Sequence, residues 1–142
     1  MTQHAIAQPI LRYASAARLV AEAMAHAEAN GWTIAVVVLD PEGHVLASGR
    51  MDRVHPEILD IAHDKGFTAT LGKTSLAFGE RMASMKSLEM GLATRNRLLA
   101  WEGGVPVRSG GALIGAMGVS GAEGPEDAAC ALAAIKALGL ES

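Results

Sequence analysis

Aromatic side chains are scarce in this chain, which holds two Trp, two Phe and one Tyr in 142 residues. Its core cannot be built on large rings and must come from Ala, Val, Leu, Ile and Met, with 16 Gly letting backbones approach closely. Small side chains bury little apolar area each, so the fold is expected to bury further surface between subunits, as a homo-oligomer. Cysteine is almost absent. The single Cys130 excludes an internal disulfide and a paired-cysteine metal or redox site; in its Ala-rich segment it reads as a small buried hydrophobe. Basic residues form no block and the net charge is −3, so a phosphate-tracking nucleic-acid surface is not indicated. No apolar run approaches the length that crosses a bilayer, and no basic stretch followed by an apolar one opens the chain. The expectation is a cytoplasmic protein with neither nucleic acid nor membrane as partner.

Half of the residues are apolar, which argues against long disorder, and the length suits one domain over residues 1–142. Residues 1–12, with Gln3, Gln8 and Pro9, read as a loosely attached arm. Ser15 has the chemistry of a helix N-cap. Ala16, Leu19, Val20, Ala23, Met24 and Ala27 then recur at helical spacing, with Asn30-Gly31 as the stop. Thr33 to Leu39 is a β-branched run that predicts a strand covered on both faces. Asp40-Pro41-Glu42-Gly43 has turn chemistry, and His44 to Met51 returns as the second strand of a hairpin. Pro56 suits the first turn of a helix, on which Ile58, Ile61, Ala62, Lys65 and Ala69 share one face. A further helix is expected from Thr74-Ser75 through Met82, whereas residues 84–96 carry no clear period. Leu98 to Trp101 is a short strand candidate. Val105 to Arg108 and Ala112 to Val119 flank Ser109-Gly110-Gly111 as a second hairpin. Gly115 and Gly118 weaken that strand, so something must pack against its backbone. Glu126 to Leu138 closes the chain as a helix. Antiparallel strands with helices segregated around them give an α+β domain.

Several segments, in order, resemble one family. They are Asp40-Pro41-Glu42-Gly43 with Arg50-Met51-Asp52; Ala62-His63-Asp64-Lys65 with Thr68-Ala69; Gly103-Gly104-Val105-Pro106; Gly115-Ala116-Met117-Gly118-Val119-Ser120-Gly121; and Asp127-Ala128-Ala129-Cys130. Spread over residues 14–138, they are similar to the GlcG/HbpS-like group, which includes the C-terminal domain of PduO-type proteins. The resemblance implies a profilin-like three-layer α/β/α domain with a five-stranded antiparallel sheet, and homo-oligomers such as tetramers or octamers. It also implies haem binding in some members and association with small-molecule catabolic operons; fold alone does not transfer function. The chain departs from the pattern at Arg53-Val54-His55, at Ile58, at Gly66 and at Glu102, which add charge around the expected pocket.

Candidate site residues each carry two readings. Arg50 and Asp52, two apart at a strand end, point to one face; Arg50 either grips a ligand carboxylate by its fork or joins Asp52 in a structural ion pair. Lys65 is a cation on a core-facing stripe and must meet water or an anion. It either lines a cavity as a base or Schiff-base nucleophile or forms a bridge to Asp52 or Asp64. Gly103 and Gly104 either present N–H groups to an anion or permit a sharp entry to the next strand. Glu102 is a general acid or base if desolvated and otherwise a surface carboxylate. Arg108 and Ser120 are further ligand-binding candidates. Haem needs an axial donor, for which His55 and His63 are the candidates; no residue set supports another metal. No Ser–His–Asp order or nucleophile elbow occurs. The favoured reading is a small-ligand-binding protein that holds haem or a small anionic metabolite between the sheet and the second helix, near a subunit interface. The alternatives are an enzyme acting on a small carboxylated or carbonyl metabolite, with Lys65 or Glu102 as acid/base and Arg50 as carboxylate anchor, and an oligomeric scaffold for a partner enzyme.

Overall fold

A computed structural model describes residues 3–142. Helix α1 (Tyr13–Ala29) leads into strand β1 (Ala35–Leu39) and strand β2 (Val45–Arg50); helices α2 (Pro56–Ala69), α3 (Ser75–Ala83) and α4 (Lys86–Leu92) follow. Strands β3 (Gly104–Ser109) and β4 (Ala112–Ser120) then precede helix α5 (Gly124–Ala137). The four strands are antiparallel in the order β2-β1-β4-β3. This is an α+β fold with the expected antiparallel sheet, but it has four strands among the described residues where five were expected.

The missing strand is Leu98 to Trp101. Side chains of the neighbouring helices take its polar backbone groups instead of a strand ladder: Leu99 N donates to Thr68 Oγ1 at 2.8 Å, and Trp101 O accepts from Ser75 Oγ at 2.6 Å. Helix α1 also begins earlier than Ser15 suggests, because Arg12 O already accepts from Ala16 N at 2.9 Å and Arg12 holds the cap position. The aperiodic stretch contains α4, which buries none of its own residues. Residues 3–10 of the expected arm are exposed, and the chain is first secured at Leu11, whose N donates to Ile114 O at 2.9 Å. The arm's residues 1 and 2 lie outside the described residues.

Strand alternation divides the core between the two faces of the sheet. Val36, Val38, Val105, Val107, Met117 and Val119 point to one face and pack with Leu19 and Ala23 of α1 and Cys130 and Ala134 of α5. Ala35, Val37 and Leu39 point to the other and meet Ala62 and Ile58 of α2. The helix α2 lies unusually close to β4. A Cβ on Gly118 would stand 1.8 Å from Ala62 O, and one on Gly66 would stand 2.9 Å from Gly118 N. The two glycines so meet backbone to backbone, as the weakness of this strand foretold. That approach sets the height of every α2 side chain above the sheet.

Candidate functional site

Lys65 leaves α2 one residue before Gly66 and is 3% exposed. Its stem runs past Gly103, where a Cβ would lie 2.9 Å from Lys65 Cδ, and past Gly104, where one would lie 2.1 Å from Lys65 O. The two glycines thus clear a channel for the lysine, and Gly104 N is already committed to Ser75 Oγ at 2.8 Å. At the end of the sheet the ammonium donates to Val119 O at 3.1 Å and to Asp127 Oδ2 at 3.0 Å. Asp127 lies in the first turn of α5 and is 1% exposed. Its second oxygen accepts from Ala122 N at 3.0 Å. Burial pushes the Asp127 carboxyl above the ordinary carboxylate value, while Lys65 and the Ala122 amide pull it back down. The partner of Lys65 is therefore neither Asp52, which is exposed, nor Asp64, which pairs with Arg97 at 3.1 Å.

Beside this pair a cleft of about 320 Å³ opens between α2, the end of β4 and the start of α5, with Ile58, Ile61 and Trp101 as apolar wall and Lys65, Glu102 and Ser120 as polar wall. Ser120 is 6% exposed, yet its hydroxyl has no hydrogen-bond partner, and neither has the half-buried Glu102 carboxylate. Ile58 and Glu102, two of the departures from the family pattern, both face this cleft. Cys130 is buried nearby in α5. Burial, helped by the charges of Asp127 and Glu126, pushes its thiol up to about 11, which removes it as a nucleophile near neutrality.

The opposite face of α2 builds a second feature. His63 and Phe67, four residues apart, share that face. Arg97 crosses over it, its guanidinium 4.3 Å from the Phe67 ring centroid, with Nε donating to Asp64 Oδ1 at 3.1 Å and Nη2 to His63 Nε2 at 2.8 Å. Burial first, then the Arg97 charge, lowers the pKa of His63. The imidazole is accordingly neutral near pH 7, with its proton on Nδ1. A depression of about 390 Å³ is lined by Phe67, Arg95, Arg97 and Leu98, and the Arg95 guanidinium is unpaired.

Several candidates lie elsewhere. Arg50 and Asp52 are exposed and share a different depression with Met24 and Glu28, while Arg50 Nη1 donates to Val54 O. The expected convergence of Arg50 with Lys65 on one ligand does not occur: Arg50 does not line the cleft beside Lys65, and its Nη1 is taken by Val54 O. His55 caps α2, its Nδ1 accepting from Glu57 N at 3.1 Å. Arg108 donates to Gly72 O at 2.8 Å and bridges in strand fashion to Glu141. The residues missed from sequence are Asp127 as the lysine's partner, Arg95 and Arg97. An acidic residue in a first helical turn is ordinary and gives no hint of burial. The Arg95-Asn96-Arg97 alternation in an aperiodic loop was the available signal.

A family model described as "Haem degrading protein HbpS-like" matches residues 11–136. Protein GlcG of Escherichia coli K12 is 37% identical over 111 residues, 78% of this chain and 81% of that protein. The crystal structure of a double mutant of Streptomyces reticuli HbpS superposes with a TM-score of 0.88 at 28% identity, covering 98% of this chain and 94% of the other. A PduOC:haem complex has a TM-score of 0.82 at 23% identity, covering 93% and 97%, a likeness of fold. Among the described residues no helix is long and apolar enough to cross a membrane.

Proposed function

The chain belongs to the HbpS-like family, and from that premise we propose that it is a small-ligand-binding module for a flat, carboxylate-bearing molecule of the haem class, held against α2. The observation that carries this reading is the Arg97 guanidinium stacked 4.3 Å from the Phe67 ring, with the unpaired Arg95 on the same depression. Paired guanidinium forks suit carboxylates such as haem propionates, and Leu98, with the part of the Phe67 ring that Arg97 leaves uncovered, gives the depression an apolar wall. A related structure in complex with haem supports the ligand class.

The residues present fit that group. Arg95 and Arg97 would hold the propionates, and neutral His63 would be the candidate iron ligand, since iron binds the unprotonated imidazole nitrogen. Its Nε2 accepts from Arg97 Nη2 at 2.8 Å, so His63 would be free for the iron only where Arg97 released it. His55 fits less well, because its Nδ1 lone pair caps α2. Bound haem would supply iron-centred redox and ligand chemistry; the chain's part is to anchor, orient and shield. A homo-oligomer belongs to the same proposal. The depression is open, and Met85 and Met90 next to it in sequence are 59% and 64% exposed, an apolar surface that a second copy would cover.

Haem titration tests the reading. A saturable Soret band at one haem per chain is expected, with light scattering giving the assembly. Arg97→Ala should weaken binding by about 10- to 100-fold, the range of lost charge-assisted hydrogen bonds, and His63→Gln should shift the visible bands. A featureless, unsaturable response, or affinity indifferent to both arginines, refutes it.

A further inference from the structure

The cleft at the end of the sheet is separate from that depression, and its chemistry differs. Lys65 and Asp127 cancel, so Glu102 leaves it with one net negative charge. A carboxylated or phosphorylated ligand is repelled there, and no arginine lines it to compensate. What remains unsatisfied is specific. The ammonium of Lys65 uses two of its three protons on Val119 O and Asp127 Oδ2. The Ser120 hydroxyl, on a residue 6% exposed, has no protein partner and is accessible from the cleft, since among the described residues no fully buried side-chain oxygen is left unpaired. The Glu102 carboxylate is also unpaired. A purely structural bridge accounts for Lys65 and Asp127, whereas the Ser120 hydroxyl and the Glu102 carboxylate are committed to no protein partner and stand open on the cleft wall, available to a ligand.

We propose that this cleft is a second, catalytic site for a small uncharged carbonyl compound, in which Lys65 and Ser120 donate to the carbonyl oxygen and Glu102 moves a proton on the adjacent carbon. About 320 Å³ corresponds to about ten waters at ~30 Å³ each, room for a chain of three to about six carbons. In the step, a Glu102 oxygen takes the proton of the carbon next to the carbonyl. The electron pair of the broken C–H bond forms a C=C bond, and the carbonyl π pair moves onto oxygen. The resulting enolate is held by two donors fixed before it forms, the arrangement that stabilises developing negative charge most effectively. Return of a proton from Glu102 to the same carbon gives exchange; its return to the other carbon of an enediolate, with the hydroxyl proton of the first carbon passing to the original carbonyl oxygen as the new C=O bond forms, gives isomerisation. No oxidant, reductant or co-reactant is consumed. Val119 O and Asp127 Oδ2 hold the Lys65 nitrogen in place, so it acts as a fixed donor and not as a Schiff-base nucleophile.

Hydroxyacetone and dihydroxyacetone are suitable probes. In D2O, proton NMR should show the whole protein accelerating loss of their carbon-bound protons above the buffer rate. Glu102→Gln should reduce that acceleration at least tenfold with an unchanged circular dichroism spectrum, and Ser120→Ala should lower kcat more than it raises KM. Haem affinity should be unaltered in Glu102→Gln, which separates this site from the depression beside Arg97. Exchange at the buffer rate for both probes, or full exchange in Glu102→Gln, overturns the proposal.

Discussion

Replacing either member of the Lys65–Asp127 pair should have unequal consequences, and the inequality tests the physics of the sheet end. Both groups are almost fully buried, at 3% and 1% exposure, and both are held by protein partners. Asp127→Asn leaves a buried cation facing a neutral amide, and breaking a buried pair in this way costs about 3–5 kcal/mol. At about 4 °C per kcal/mol for a chain of this size, the melting temperature should fall by about 12–20 °C. Lys65→Met strands the carboxyl instead, but a carboxyl can escape by binding a proton. Burial already raises the pKa of Asp127, and removal of the lysine deletes the largest opposing influence. The folded state of that variant then binds more protons than the unfolded state at pH values above the unfolded carboxyl pKa, so its stability rises as pH falls from 7 toward 4. Asp127→Asn has no such rescue on acidification, because a stranded ammonium is relieved only by losing a proton, which falling pH opposes. The double variant Lys65→Met, Asp127→Leu should recover to within about 1–2 kcal/mol of the parent, since a packed apolar pair is often as stable as a buried ionic one. Urea unfolding followed by circular dichroism at one fixed protein concentration measures all four proteins. Losses under about 1 kcal/mol, the range of exposed ion pairs, or equal pH dependence of the two single variants, would refute the reasoning.

Two further outcomes follow from the geometry. Gly118→Ala places a methyl 1.8 Å from Ala62 O; since backbone and not a flexible side chain receives it, the loss should exceed the ~1–3 kcal/mol of ordinary overpacking, and a soluble variant melting within a few degrees of the parent would contradict the close approach of α2 to β4. His63, whose folded pKa is lowered by burial and Arg97, favours the neutral imidazole. Stability linked to it is present above the unfolded value of about 6.5 and is lost as pH falls below that value and through the lower folded one. Melting temperatures between pH 7 and 5 should therefore fall less in His63→Gln than in the parent, and parallel curves would remove the effect.

Local chemistry made the fold largely readable. Asp40 fixes the first hairpin by accepting from Glu42 N and His44 N at 2.9 and 3.0 Å, and Pro56 and the glycines after Ser109 mark their elements as their backbone preferences dictate. The places that were misread are those where a distant side chain decides. Leu98 to Trp101 has strand-like residues, but hydroxyls of Thr68 and Ser75, 31 and 26 residues away, claim its backbone. The same limit applies to the site. Lys65 declared itself as a cation on an apolar stripe, whereas its partner sits 62 residues on and is indistinguishable in sequence from any first-turn acid. Arg50 was expected to join Lys65 as a ligand anchor, yet its guanidinium is taken by a backbone carbonyl four residues on, Val54 O, a partner that residue type and spacing do not announce.

Helix α2 joins these observations. At 100° per residue, Lys65 and the pair His63 and Phe67 stand on nearly opposite sides of it, so one helix supplies the cation of the sheet-end cleft and the ring wall of the Arg97 depression. Its contact with β4 is made through Gly66 and Gly118, where no side chain can bend to absorb a displacement. An ordinary helix–sheet contact, cushioned by Leu and Val, tolerates small sliding by rotamer change; a backbone-to-backbone contact does not. The helix is therefore pinned at the point midway between its two working faces. The glycines that make the aromatic-poor core possible are thus also what fixes the positions of Lys65 and Phe67, which explains how a domain with such small side chains can present polar groups in fixed positions.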